Sequence, residues 1–470
     1  MASRDAAVPA LGLALVALYW LQERLFAGQV TASAQRLAYG AQLPVHVIPQ
    51  GVMLAHGAAW SLVLLALLMG AVLYLLYRSL AAGAPSVAAR GGLLLAFAAM
   101  LLIDLRSSTA MSNDAYAYIG YGVLPSLHAA YAPEAVALRG EFSAINQIWG
   151  MPLVPCIYGP LWLEGIRVAL SGVHTLAQAW LAIRLFNVIA LVALIVLVYA
   201  LTRAPGAVAV VALNPALHDL FVVDAHNDLG GIVLVAAALL SYRKGWRLVA
   251  LVLIVCAGLV KLPLVALGLL LLFYEPVPAR RLAAGVALLG LTLVAYAAWA
   301  GPSYFASLLS VTRADAAPAA AHITAAFRGF VTLHAVLLAI AVLGIALAVV
   351  RRQLWDGARW SYIALGGAVY PWYLLWAFPS VLLAPRRLVE YAVALPLLAL
   401  LLEHTFSLVG RHGTVSAALA VIVIAAIYEG LRAQTAAGWG SSLGTSEPSR
   451  KAGNSSTENW TPVVNGPNSA

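Results

Sequence analysis

Apolar runs recur from near the N-terminus to Leu431, separated by short stretches in which arginine, lysine, aspartate, histidine and asparagine collect. At about 1.5 Å per residue, roughly 20 apolar residues cross a bilayer as one α-helix. Runs at about 8–27, 52–77, 90–106, 177–201, 205–222, 229–242, 282–300, 329–350, 388–404 and 413–431 therefore predict an all-α, polytopic membrane protein. The runs are continuous, not alternating, which argues against a membrane barrel. Residues 248–275, and the stretch between Arg359 and Arg386, must each go out and return in too few residues for two full spans. These predict short, broken or re-entrant helices, which membranes tolerate around a water-filled cavity or site. The count comes to about 12–14 transmembrane or re-entrant helices.

The basic residues set the sidedness. Arg78, Arg90, Arg203, Arg243-Lys244, Arg247, Arg280-Arg281, Arg351-Arg352 and Arg386-Arg387 lie between runs and are cytoplasmic by the positive-inside rule. The segments between them are then external. They carry Asp114, the stretch Asp224-Ala225-His226-Asn227-Asp228, Lys261, a loop at 301–328 with Arg313 and Arg328, and the aromatic stretch around Trp372 and Tyr373. Residues 107–176 form the longest polar insertion, a large external loop. Its segment 160–171 is too short to cross, carries Glu164 and Arg167 one turn apart, and predicts an interfacial helix. Residues 1–435 read as one membrane domain. Residues 436–470, rich in Gly, Ser, Asn, Thr and Pro, read as a disordered cytoplasmic tail in which two glycosylation-like triplets are chance matches.

Composition narrows the class further. The 470 residues are 63% hydrophobic and 10% charged, with mean hydropathy +0.92, more apolar surface than a soluble fold hides. The +9 charge is spread singly or in pairs, so it orients the protein and does not mark a nucleic-acid partner. Two cysteines, Cys156 and Cys256, give neither a disulfide framework nor a zinc site. The opening Met1-Ala2-Ser3-Arg4-Asp5 and the first run, ending Gln22-Glu23-Arg24, lack the pattern of a cleavable signal peptide.

Each candidate for chemistry has a plainer reading beside it. Asp114 suits a general base where a membrane helix meets water, or a helix cap. Asp224 or Asp228 could cap the helix starting near 229, His226 could be a structural histidine, and Lys261 could snorkel to headgroups. Tyr116, Tyr118, Trp149, Tyr158, Trp372 and Tyr373 could stack on sugar faces or form an aromatic belt. Convergence on one membrane face favours function. An isolated carboxylate among several cations suits deprotonation of a hydroxyl with departure of an anionic phosphate.

Asn113-Asp114-Ala115-Tyr116-Ala117-Tyr118, Tyr158-Gly159-Pro160-Leu161-Trp162, Asn214-Pro215, Ala225-His226-Asn227-Asp228, Lys261-Leu262-Pro263 and Pro371-Trp372-Tyr373-Leu374-Leu375-Trp376 follow one another in that order. The set, from about Asp104 to Leu383, resembles bacterial polyprenol-phosphate-mannose-dependent α-mannosyltransferases of the GT-C class. The resemblance implies an inverting transferase, multi-pass in the bacterial inner membrane, metal-independent or only weakly metal-dependent, with no cofactor. Its partners would be a polyprenyl-phosphate sugar, a glycan or glycolipid acceptor on the external, periplasmic face, and membrane lipid. It implies Asp114 as base, Lys261, His226 and Arg328 at the donor phosphate, and Tyr116, Asp228, Asn227, Tyr158, Trp372 and Tyr373 at the substrate. One departure is Asn113, where many such enzymes carry a second acid, which weakens a metal-bridging role. No Gly-rich nucleotide loop occurs, in keeping with a lipid-linked donor.

A transporter or flippase is the competing class, since broken hairpins and intramembrane charges also describe carriers. The chain shows no internal repeat, and its polar residues gather at one face instead of the midplane. A polysaccharide polymerase or ligase would call for a larger late external loop than 301–328.

Overall fold

The structure is a computed structural model and describes residues 2–34, 43–47, 56–81, 83, 85–132, 138–146, 153, 155–266, 278–307, 375–376 and 400. Arg328, Trp372, Tyr373, the runs at 329–350 and 413–431 and the tail at 436–470 lie outside the described residues. The chain divides into two units, Met1–Ile422 and Val423–Ala470, and every described residue belongs to the first.

Helices α1 (Ala2–Ala34), α2 (His56–Ala81) and α3 (Val87–Arg106) form one packed group. Helix α3 starts where Ser86 accepts the Ala89 N–H at 3.2 Å. Gly92 lets α3 come close to α1, since a Cβ there would stand 2.7 Å from Pro9 Cβ. Two-residue strands β1 (His46–Val47) and β2 (Thr109–Ala110) then pair in parallel, His46 against Thr109. This pair fixes the chain entering the loop at 107–176. Short helices α4 (Asp114–Gly122), α5 (Leu127–Tyr131) and α6 (Pro160–Ala169) follow. Helix α6 covers the segment expected to be an interfacial helix, and its Arg167 pairs with Glu164 at 3.3 Å.

Helix α7 (Leu176–Thr202) opens with a capping box, Thr175 and Gln178 each bonding the other's backbone. The apolar run at 205–222 is not one continuous helix. It is α8 (Pro205–Ala212) and α9 (Pro215–Leu217), bent by 46° at Asn214-Pro215, with α9 continuing as a π-helix over His218–Val223. Pro215 has no N–H to give the preceding turn, so the helix breaks there. Helix α10 (Asp228–Arg243) packs along α11 (Arg247–Val260), and α12 (Pro278–Trp299) packs on α11. With 14 residues α11 rises about 21 Å, short of a bilayer's ~30 Å, and it ends at Lys261. The first half of the hairpin expected in 248–275 is thus a short helix, and residues 267–275 lie outside the described residues.

Among the described residues four helices are long and apolar enough to cross a membrane, or five if the bent pair counts as one span. Their outer faces carry Leu64, Leu94, Leu95, Ile189 and Val196, all at least half exposed, as lipid-facing side chains are. The all-α polytopic expectation holds. Among the described residues there are two hydrophobic cores. One joins the spans through Tyr19, Met69, Met100, Leu194 and Phe221, and the other packs the loop at 107–176 through Tyr118, Trp162, Trp180, Tyr296 and Tyr304.

At the junction of the two cores lies a polar network that the apolar pattern conceals. Asp104 accepts from the Tyr19 hydroxyl at 2.7 Å and lies 2.6 Å from His218 Nδ1, whose other nitrogen meets the Ala212 carbonyl at 2.8 Å. Ser107 donates to Glu23 at 2.6 Å. Arg184 donates to the Ser107 carbonyl at 2.6 Å and, through two nitrogens, to the Val223 carbonyl at 3.1 and 3.2 Å. One buried guanidinium thus ties the end of α3 to the end of the π-helix. Those two chain ends lead into Asp114 and into Asp224–Asp228.

Candidate active site

Helix α4 begins at Asp114, with Asn113 before it making no side-chain cap bond. The Asp114 carboxylate therefore sits in the first turn, where the helix dipole favours negative charge, and does not serve as the cap itself. Ser112 Oγ accepts the Asp114 N–H at 3.2 Å. The Asp114 side chain is 17% exposed, whereas Asp224 and Asp228 are buried.

The second segment arrives through the π-helix. Its wide turn carries the Asp224 N–H to the Asp219 carbonyl, five residues back, at 2.9 Å. Ala225 then takes φ +57, a left-handed conformation that costs an alanine about 1–2 kcal/mol. The result turns His226 toward α4. Its Nδ1 stands 3.6 Å from Asp114 Oδ2 and its Nε2 4.0 Å from Asp224 Oδ2, so the imidazole lies between two carboxylates. Asp224 also accepts the Met111 N–H at 2.8 Å, holding the chain just ahead of Asp114.

Lys261 closes the group. Freed from helical geometry at the end of α11, its ammonium meets Asp228 Oδ1 at 2.8 Å and lies over the rings of Trp376 at 5.2 Å and Tyr158 at 5.8 Å. The Trp376 indole N–H donates to the same oxygen, which brings the last residue of the late aromatic motif to the site. Tyr118 meets Tyr158 and Trp162 edge-to-face, those two rings are tilted against each other, and the three centroids lie 4.5–5.4 Å apart.

The structure thus gathers Asp114, His226, Asn227, Asp228, Lys261 and Tyr158. It does not gather Tyr116 with them: that ring is buried on Trp180, and its hydroxyl donates to the Val45 carbonyl at 2.5 Å. Burial holds the Tyr116 phenol above its ordinary range, and it does the same at Tyr121, where the charge of Asp114 is a lesser contributor. The tyrosine that faces the site is Tyr118, whose hydroxyl reaches Asp114 Oδ2 at 3.5 Å and Asn227 Oδ1 at 3.4 Å. Helical spacing marks it, because positions i and i+4 share a face and i+2 does not.

Gly159 sets the register between the loop at 107–176 and α11. Its N–H donates to the Val260 carbonyl at 3.0 Å, and a Cβ there would stand 1.9 Å from the Leu259 carbonyl oxygen. Gly159→Ala is therefore expected to push Tyr158 away from Lys261 and to lower stability by about 1–3 kcal/mol or more. Gly290→Ala, in a helix with nothing within 4 Å of the new methyl, should be neutral or stabilising. Melting of the two variants in detergent, read side by side, checks this; equal melting temperatures would refute it.

A family model described as alpha-(1->6)-mannopyranosyltransferase, N-terminal domain, matches residues 12–275, more than half of the chain. The matched segment runs from within α1 to beyond α11 and contains Asp114, Tyr118, Tyr158, His226, Asn227, Asp228 and Lys261, whereas Trp376 lies outside it. No curated protein and no solved structure matches the chain. With its apolar spans, the chain belongs to the MptA/B family of alpha-(1->6)-mannopyranosyltransferases and is a membrane glycosyltransferase that transfers mannose.

Proposed function

We propose that the protein moves a mannosyl residue from a polyprenyl-phosphate carrier to a glycan or glycolipid acceptor at the external, periplasmic face of a bacterial inner membrane. The acceptor hydroxyl oxygen attacks C1 of the sugar while Asp114 takes the hydroxyl proton. The bond from C1 to the phosphate oxygen breaks, and its electron pair leaves with the lipid phosphate. Attack opposite the leaving group inverts the anomeric carbon, so an alpha product calls for a beta-linked donor. The description of the matched family suggests a 1,6 linkage.

The departing phosphate gains negative charge, and we assign Lys261, His226 and Arg328 to hold it. Tyr158, Trp372 and Tyr373 would stack on the sugar or the acceptor, together with Tyr118. The observation that carries the reading is Asp114 itself: a partly exposed carboxylate at the start of a helix, 3.6 Å from a buried imidazole.

Purified protein in lipid nanodiscs, offered a panel of radiolabelled polyprenyl-phosphate sugars and nucleotide sugars, tests it. Label should pass from polyprenyl-phosphate mannose and be released from product by an α-mannosidase. Transfer from nucleotide-linked mannose alone would refute the lipid donor.

A further inference from the structure

Asn227 and Asp228 stand on consecutive residues where the π-helix hands over to α10, and both are at least 99% buried. Asn227 Oδ1 accepts from Tyr118, and Asp228 Oδ1 accepts from Lys261 and Trp376. Among the described residues their remaining polar atoms, Asn227 Nδ2 and Asp228 Oδ2, have no hydrogen-bond partner. One is a donor and the other an acceptor. Leaving either dry and unbonded is costly, and most buried polar groups avoid it.

A ring hydroxyl both donates and accepts, so two neighbouring hydroxyls of a hexose complement such a pair. A phosphate supplies acceptors alone and would be repelled by Asp228. The surroundings suit a sugar as well. Tyr118, which meets Asn227, packs against the rings of Tyr158 and Trp162, and its hydroxyl lies 3.4 Å from Asn227 Oδ1 and 3.5 Å from Asp114 Oδ2.

On these grounds we infer that Asn227 and Asp228 bind two adjacent hydroxyls of the donor hexose and thereby set its sugar selectivity. Resting on the mannosyl-transfer reading above, this divides the work of the segment: Lys261, steadied by Asp228, faces the phosphate, while the unbonded atoms of Asn227 and Asp228 face the ring.

The test is a set of double-mutant cycles on full-length protein in nanodiscs, using polyprenyl-phosphate mannose, its monodeoxy analogues, and octyl α-mannoside and its monodeoxy forms as acceptors. For the wild type, removing one of two neighbouring donor hydroxyls should lower kcat/KM by roughly 10–100-fold. Asn227→Ala and Asp228→Asn should each lose a similar factor on the full donor and lose little more on the matching deoxy donor. Asp228→Asn also loosens Lys261, so Asn227→Asp, which retains the oxygen that Tyr118 bonds, serves as a second variant expected to fold. Deoxy penalties that persist undiminished in these variants would overturn the assignment. Coupling to the acceptor hydroxyls would overturn the donor assignment and move the pair to the acceptor. No wild-type transfer from any polyprenyl-phosphate sugar would defeat the parent reading instead, an outcome distinct from equal use of all deoxy donors.

Discussion

Asp114→Asn should leave a folded protein that binds its donor and turns over about 10²–10⁴ times more slowly, the usual contribution of a positioned general base. The substitution keeps the shape of the side chain. Tyr118, whose hydroxyl lies 3.5 Å from a carboxylate oxygen, would have an amide oxygen of the same size in that place. At 17% exposure the position has water to compensate for lost charge, so the fold has little stake in the carboxylate. The loss should therefore fall on kcat, with donor KM changed by no more than about threefold. Steady-state kinetics in nanodiscs, with melting temperature as the control for folding, checks this. Full kcat in a well-folded Asp114→Asn protein would end the role proposed for Asp114.

Arg184→Met should do the opposite, removing the protein more than the chemistry. Arg184 is 2% exposed, lies over Trp180 at 5.0 Å, and is the cation felt by Glu23, Asp104 and Asp224 together. Methionine fills much of the volume. It leaves the Ser107 and Val223 carbonyls without that donor and three carboxylates without that charge. Breaking a buried charge network of this kind costs about 3–5 kcal/mol. We expect sharply reduced accumulation in membranes and a lower melting temperature, with activity falling in proportion to folded protein. Arg184→Lys should rescue only in part, since one ammonium lacks the planar fork that reaches both carbonyls. Unchanged melting of Arg184→Met would show that the network does not hold α3 to the π-helix.

Much of this architecture is legible in the chain because lipid is an undemanding reader: a long apolar run has few structures open to it. The broken element ending at Lys261, the short helix after Gly159 and the meeting of Asp114, His226, Asp228 and Lys261 all follow from run lengths and the placement of arginines. The finer choices escape that logic. Tyr116 and Tyr118 are equally aromatic, and only their angular position on α4 separates a wall residue from one that touches Asp114. The network of Glu23, Asp104, Arg184 and His218 is hidden because single polar residues barely lower the hydropathy of a run. Yet an ionisable side chain inside such a run is itself a flag, because charge at membrane depth faces protein or water. The bend at Asn214-Pro215 is announced by its proline, whereas nothing so local announces the wide turn that follows.

That wide turn at His218–Val223 makes the ordering of residues 224–228 a matter of counting. A π-turn holds one residue more than an α-turn over nearly the same rise, so it works as a built-in insertion. Excise one residue there, and the downstream backbone swings by about 100°. The imidazole would then turn off Asp114 and the Asp228 carboxylate off Lys261, while hydropathy and charge along the chain stay almost the same. Two chains indistinguishable by composition would then differ in whether they hold a reaction centre at all.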